Sequence, residues 1–253
     1  MRLSAWPRSA RCPPLSALAR LLLPASCALC GARCAAPVCG ACHGQFFCQE
    51  RSPERPRCRQ CANPLAAAEA GARCGACLAA PPPFDATLVA CDYAAPVDQL
   101  VLQLKFGARL GLAGLFASLL HDAVQQRPDF LLPALLCPVP LGPGRLAERG
   151  FNQALEIARP LARTLGLALH PLLAARVHET QAQSRVAPSE RARNIERAFI
   201  VTPEAVLRVR GQHIGIVDDV MTSGKTLAEL AATFKRFGAA RVSNLVFART
   251  PPR

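Results

Sequence analysis

Ten consecutive residues, Val217-Asp218-Asp219-Val220-Met221-Thr222-Ser223-Gly224-Lys225-Thr226, carry more chemistry than any other stretch of this sequence. Thr222, Ser223 and Thr226 offer hydroxyls, Gly224 permits close backbone approach, and Lys225 adds a charge. A helix starting here would add free N–H groups and the positive end of its dipole, which together make a phosphate cradle. Asp218 and Asp219 suit a different partner, sugar hydroxyls or a bound Mg²⁺. The end of the segment imitates the P-loop G-x-x-x-x-G-K-[ST], but the required first glycine falls on Asp219, which argues against nucleoside-triphosphate hydrolysis. A strand ending in two solvated acids, followed by a helix capped by Thr222 or Ser223, is the plain alternative.

Eight of the thirteen cysteines form C-x-x-C pairs: Cys27/Cys30, Cys39/Cys42, Cys58/Cys61 and Cys74/Cys77. Two residues between thiolates let both reach one metal ion from a tight turn. Four such pairs among Gly and Arg predict two zinc ions. The simplest pairing joins Cys27/Cys30 to Cys39/Cys42 and Cys58/Cys61 to Cys74/Cys77; interleaving is the alternative. Disulfides would need an oxidising compartment. Of the remaining cysteines, Cys34 and Cys48 could compete as ligands, whereas Cys91 and Cys137 look like small buried residues; Cys12 stands apart.

The elements that position these groups follow from periodicity and punctuation. The apolar run Ile214–Val217 predicts a buried strand that the acid pair ends, and Leu227–Phe237 a helix. Strands are expected at Thr87–Tyr93, Leu135–Val139, Ala198–Val201 and Val242–Phe247, and helices at Val97–Phe106, Leu112–Gln126 and Asn152–Leu165. Such alternation implies an α/β fold, a parallel sheet with helices on both faces and ligands at the carboxyl ends of its strands. Asp218 and Pro140 both fall at such ends. Pro140-Leu141-Gly142-Pro143-Gly144-Arg145 reads as a loop, and Arg145 and Arg149 behind it suit polyphosphate oxygens. Residues 176–194 are polar and Arg-rich, either a mobile cover for the site or a solvated connection.

Residues 27–80 read as a small metal-held module, bounded by Pro81-Pro82-Pro83, with the α/β domain over 84–253. Residues 1–26 form an extension with a short amphipathic helix expected over 15–23. Arg20 and Pro24 spoil it as an export signal, and no segment approaches the ~20 apolar residues of a membrane span. The 253 residues are 51% hydrophobic but only 5% aromatic, so the core must be built from Leu, Ala and Val. Net charge is +13, and residues 1–84 hold ten Arg against three Glu. That favours phosphate-rich partners, though an Ala/Arg/Pro-rich composition alone also yields a basic chain.

Acid-acid-x-x-Thr-Ser-Gly-x-Thr between a buried strand and a helix resembles the signature of type I phosphoribosyltransferases, which bind phosphoribosyl pyrophosphate (PRPP). The resemblance implies that Asp218 and Asp219 take ribose hydroxyls and Thr222, Ser223, Gly224, Lys225 and Thr226 the 5′-phosphate. Pro140, Leu141, Arg145 and Arg149 would then grip the pyrophosphate with Mg²⁺. The ordered set Pro138-Val139-Pro140-Leu141, Arg149-Gly150-Phe151-Asn152-Gln153, Gln183, Arg191-x-x-Asn194, Ala198-Phe199 and the acid pair, behind four C-x-x-C pairs, resembles the ComF family over roughly residues 20–250. Ser223 departs mildly from it, standing where Thr is common. The resemblance implies a cytoplasmic protein with a double zinc ribbon, acting in natural competence, with single-stranded DNA and competence proteins as partners. It leaves open whether PRPP is turned over or only bound.

Overall fold

The computed structural model describes residues 26–48, 56–66, 73–177 and 198–251. The helix expected over 15–23, Cys12, the side chain of Cys48, Gln183, Arg191, Asn194 and nearly all of the Arg-rich stretch lie outside them.

After the short helices α1 (Gly40–His43) and α2 (Gly75–Ala79), the chain alternates strand and helix. β1 spans Ala86–Asp92, α3 Val97–Phe106, α4 Gly111–Gln125, β2 Leu135–Pro138, α5 Pro143–Arg149 and α6 Gln153–Leu165. Short strands β3 (Ala168–Leu169), β4 (Ala174–Arg176) and β5 (Phe199–Val201) follow, then helix α7 (Val206–Val209). β6 (His213–Met221), α8 (Lys225–Arg236) and β7 (Arg241–Arg249) complete the described fold.

Five strands form one parallel sheet in the order β1-β7-β6-β2-β3. β4 and β5 pair antiparallel as a separate ribbon, so the strand expected near residue 200 does not join the main sheet. A parallel sheet covered on both faces demands continuous apolar strands, and β7 is buried from Val242 to Arg249.

One face carries α3, α4 and α6. α3 buries Val97, Leu100, Val101 and Leu104, a single helical stripe. The Phe116 ring of α4 stacks on Phe247 of β7, centroids 3.6 Å apart. α6 starts where Asn152 accepts hydrogen bonds from the N–H groups of Ala154 and Leu155, a side-chain cap worth roughly 1 kcal/mol. The other face carries α8 and the β4–β5 ribbon, with Leu227, Leu230 and Phe234 packed against Ile214, Ile216 and Val246.

Gly215 in the middle of β6 has no room for a side chain. A Cβ there would sit 2.6 Å from both Leu136 and Pro133. Two sequence expectations need correction. The acid pair does not end β6, because its pairing with β7 continues through Val220 and Met221. The segment after Gly142 is not a loop: Pro143 opens the helix α5, which ends at Gly150 with φ 77°.

Candidate functional site

Asp218 and Asp219 sit at the carboxyl end of the central strand, 9% and 2% exposed. Successive residues of a strand point to opposite faces. Asp219 faces the α3/α6 side, where its Oδ2 pairs with Lys105 Nζ at 2.6 Å and its Oδ1 accepts a long 3.5 Å bond from Gln153 Nε2. Gln153 Oε1 in turn accepts from Arg149, whose guanidinium lies 5.4 Å from the centre of the Phe106 ring. Asp218 accepts the backbone N–H of Asp219 at 2.9 Å. Burial, and then the charge of Asp219, push the Asp218 carboxyl well above the usual carboxylate range. A buried acid pair in which Asp218 holds its proton to higher pH would gain from a nearby cation and can exchange hydrogen bonds with hydroxyls.

The chain then leaves the sheet. Thr222 and Ser223 are exposed, Gly224 takes a left-handed φ of 78°, and α8 begins at Lys225 without a side-chain cap. Its first N–H groups are thus left to the loop, apart from a long 3.5 Å bond from the Lys225 N–H to Ser223 Oγ, as the cradle requires. Lys225 is exposed and Thr226 half-buried. Pro140 and Leu141 lie beside this loop, since β2 pairs with β6 and the Val139 N–H donates to Val217 O at 2.9 Å. Arg149 is half-buried against Gln153, whereas Arg145 is exposed on α5.

The loop has a brace that sequence reading missed. Arg249, at the end of β7 and 6% exposed, donates to the carbonyls of Met221, Thr222 and Thr250, and through Nε to Cys61 O at 3.2 Å. One guanidinium thus ties the root of the loop to a cysteine turn. Lys105 and Gln153 were also overlooked as neighbours of the acids. Lys105 stands at the foot of an apolar helix, and only the tertiary fold brings it to Asp219. Its being one of only three lysines among 30 basic residues was the one available signal.

Eight cysteines gather as two groups of four, Cys27/Cys30/Cys39/Cys42 and Cys58/Cys61/Cys74/Cys77, with all sulfurs of a group within 4.8 Å of one another. The sequential pairing is therefore the one the fold adopts. Zinc–sulfur bonds of about 2.3 Å in a tetrahedron place sulfurs about 3.8 Å apart. Here Cys30 and Cys39 Sγ are 3.7 Å apart, and Cys61 and Cys74 Sγ 3.5 Å. Burial opposes ionisation of Cys27 and Cys58, yet backbone N–H groups, including those of Cys39 and Cys74, outweigh it and hold the two thiols at about 6 and about 7. Burial and neighbouring sulfurs push Cys42 to about 12 and Cys61 to about 11. Four thiolates can coexist here only around a cation, so the residues fit a tetrahedral metal ion. Cys34 stays outside its cluster and donates to Ala36 O, while Cys91 and Cys137 are buried in the core.

The second cluster is wired into the sheet. Arg57 pairs with Asp92 at 2.9 Å, Gln60 donates to Pro82 O and Phe84 O, and the Arg59 carbonyl accepts from Thr87 N–H. Arg57 is thus an internal strut and not a free cation for a nucleic-acid backbone. Among the described residues, no helix is long and apolar enough to cross a membrane.

Comparison with known proteins agrees with this geometry. The model of the phosphoribosyl transferase domain matches residues 152–252. DNA utilization protein YhgH of Escherichia coli K12 is 34% identical over 233 residues, 91% of this chain and 99% of that protein. Its Salmonella typhimurium counterpart is 39% identical over 196 residues, 76% and 84% of the two chains. Competence protein F of Haemophilus influenzae is 28% identical over 206 residues, 80% and 87%. With a parallel sheet of this type behind two four-cysteine clusters, and relatives aligned over nearly their whole length, the chain belongs to the ComF family, alongside DNA utilization protein YhgH and competence protein F.

Proposed function

We propose that this protein binds PRPP with Mg²⁺ at the carboxyl end of β6 and serves the cytoplasmic handling of incoming DNA, with single-stranded DNA and competence proteins as its partners. One observation carries the reading: a buried acid pair leads directly into an uncapped helix start flanked by three hydroxyls. In this reading Asp218 and Asp219 orient the ribose through its hydroxyls. Thr222, Ser223, Thr226 and the first N–H groups of α8 hold the 5′-phosphate, with Gly224 allowing close approach and Lys225 at the rim. Pro140 and Leu141 line the pyrophosphate side, where Arg145 and Arg149 add positive charge and Lys105 offsets that of Asp219. Mg²⁺, when bound with PRPP, supplies charge neutralisation on the pyrophosphate. Transfer would then proceed by positioning and charge stabilisation, pyrophosphate leaving C1′ as an acceptor arrives. Zinc in the two clusters is structural, because four cysteines close each coordination sphere.

Titration calorimetry with PRPP and Mg²⁺ tests the site. Asp218→Ala with Asp219→Ala should abolish binding while zinc content stays unchanged, and unaltered affinity would remove the site. Pyrophosphate release with candidate acceptors then separates a transferase from a second reading, in which the same fold only senses the ligand. That reading is favoured by the position of Lys105, 2.6 Å from Asp219, where a ribose hydroxyl would have to compete.

A further inference from the structure

The opposite end of the sheet holds a second polar recess, of about 340 Å³. β1 and β7 begin here, at Ala86 and Arg241, so it lies at the amino ends of the sheet's strands, opposite the carboxyl ends where β6 carries the acid pair and β7 its brace. Arg59, Arg73, Arg127 and Arg241 line it against only Asp85 and Asp129, a surplus of two positive charges. The acids do not saturate these guanidinium groups. Asp129 reaches Arg59 and Arg127 only at 3.6 and 3.5 Å, beyond a good charge-assisted hydrogen bond. Asp85 is engaged by Lys235 at 2.8 Å and by the Val242 N–H at 2.7 Å.

Two buried polar atoms in the wall also lack partners among the described residues. They are Nε of Arg241 and Oε1 of Gln60, a residue only 6% exposed. Buried groups left unmatched are uncommon and call for an explanation. Phe130 and Leu131 complete the wall with apolar surface. Incompletely satisfied guanidinium groups beside an apolar wall, with Arg127 held only by long polar contacts to Asp129 and to Thr87 O at 3.4 Å, in a recess larger than a lone phosphate requires, match an amphipathic anion.

We propose that this recess is a second ligand site, taking a phosphate ester of nucleotide size. Its walls come from both parts of the chain. Arg59 and Gln60 lie inside the Cys58–Cys61 turn and Arg73 precedes Cys74, whereas Arg127 follows α4 and Arg241 opens β7. Ligand here bridges the second cysteine cluster and the sheet.

The test is titration of full-length, zinc-loaded protein with 5′-AMP at low salt. The protein carries Ser223→Asp, which sets a carboxylate in the loop before α8 and blocks that cradle. One AMP per chain should still bind. Arg73→Glu, a change at an exposed position, and separately Arg241→Gln should each weaken it at least about 10-fold with zinc content unchanged. AMP binding lost with Ser223→Asp alone, or unmoved by both arginine changes, overturns the site. Inorganic phosphate binding as tightly as AMP overturns the nucleotide-sized ligand. A single-stranded oligonucleotide binding far more tightly than AMP, through the same arginines, overturns the free ligand and assigns the phosphate to a nucleic-acid strand.

Discussion

The two cysteine clusters have the same ligands and nearly the same spacing, yet they are attached to the protein in different ways. The first is docked: Ala28, Leu29 and Phe46 pack against the α3/α4 face, and Gln103 donates to Ala28 O at 3.0 Å. Cys30 remains exposed. The second is built in, with Cys58 fully buried and its turn bonded to β1 and β7 through Arg57, Arg59 and Arg249, and to the segment before β1 through Gln60. Cysteine spacing therefore identifies a metal site but not its importance to the rest of the molecule, which is set by what the backbone of each turn can reach.

Unequal disruption would break or confirm this contrast. Cys61→Ser should cost more than about 4 kcal/mol and carry PRPP binding with it, since both the metal and the packing of the sheet's second face are lost. Cys30→Ser, at the exposed corner of the docked cluster, should leave the α/β domain folded and PRPP affinity within about twofold. Chemical denaturation and calorimetry on the two proteins decide it, and equal losses would erase the contrast. Next comes Arg249→Met. Removing a buried cation that serves four carbonyls should cost about 3 kcal/mol and weaken PRPP at least tenfold, with faster amide exchange at residues 221–226. A loss of stability without the loss of affinity would make Arg249 a core residue only.

Gln103→Ala should cost about 1–2 kcal/mol and leave PRPP binding intact, since it removes one neutral hydrogen bond to Ala28 O on the docked side and an exposed bond accepted from Arg109. The smallest effect has the opposite sign. Because burial raises the Asp218 carboxyl, the folded protein holds its proton to higher pH than the unfolded chain does, and stability falls as pH rises above the unfolded value of about 3.9. Asp218→Asn should therefore raise Tm at pH 7, the gain fading toward pH 4, while PRPP binding fails. A gain equal at both pH values would mean that Asp218 does not carry this cost.

The sequence made the sheet and its site partly legible, for identifiable reasons. Ile214–Val217 is a run of buried residues, and Gly224 with its hydroxyl neighbours has few uses outside an anion loop, so strand, loop and helix emerged in order. β6 outlasts its apolar run because Asp218, Val220 and Met221 keep pairing with β7, a compensation that hydropathy does not register. β3 and β4, of two and three residues, are too short for any periodic signal. Arg57 and Arg249 look alike in the sequence as surplus charge. Only the packed structure reveals that both are spent inside, on Asp92 and on the loop carbonyls.

The bond from Arg249 to Cys61 spans 188 residues. Contacts this distant in sequence form late, because loop closure must precede them. β7 follows every other strand in the described chain, so the loop before α8 has no brace while β7 is still in the ribosome. A nascent chain stopped ahead of β7 already contains all eight metal-binding cysteines and the acid pair, but not the residue that couples them. Metal capture by the clusters and ligand binding at the loop would therefore be separate events in synthesis, the second waiting for β7.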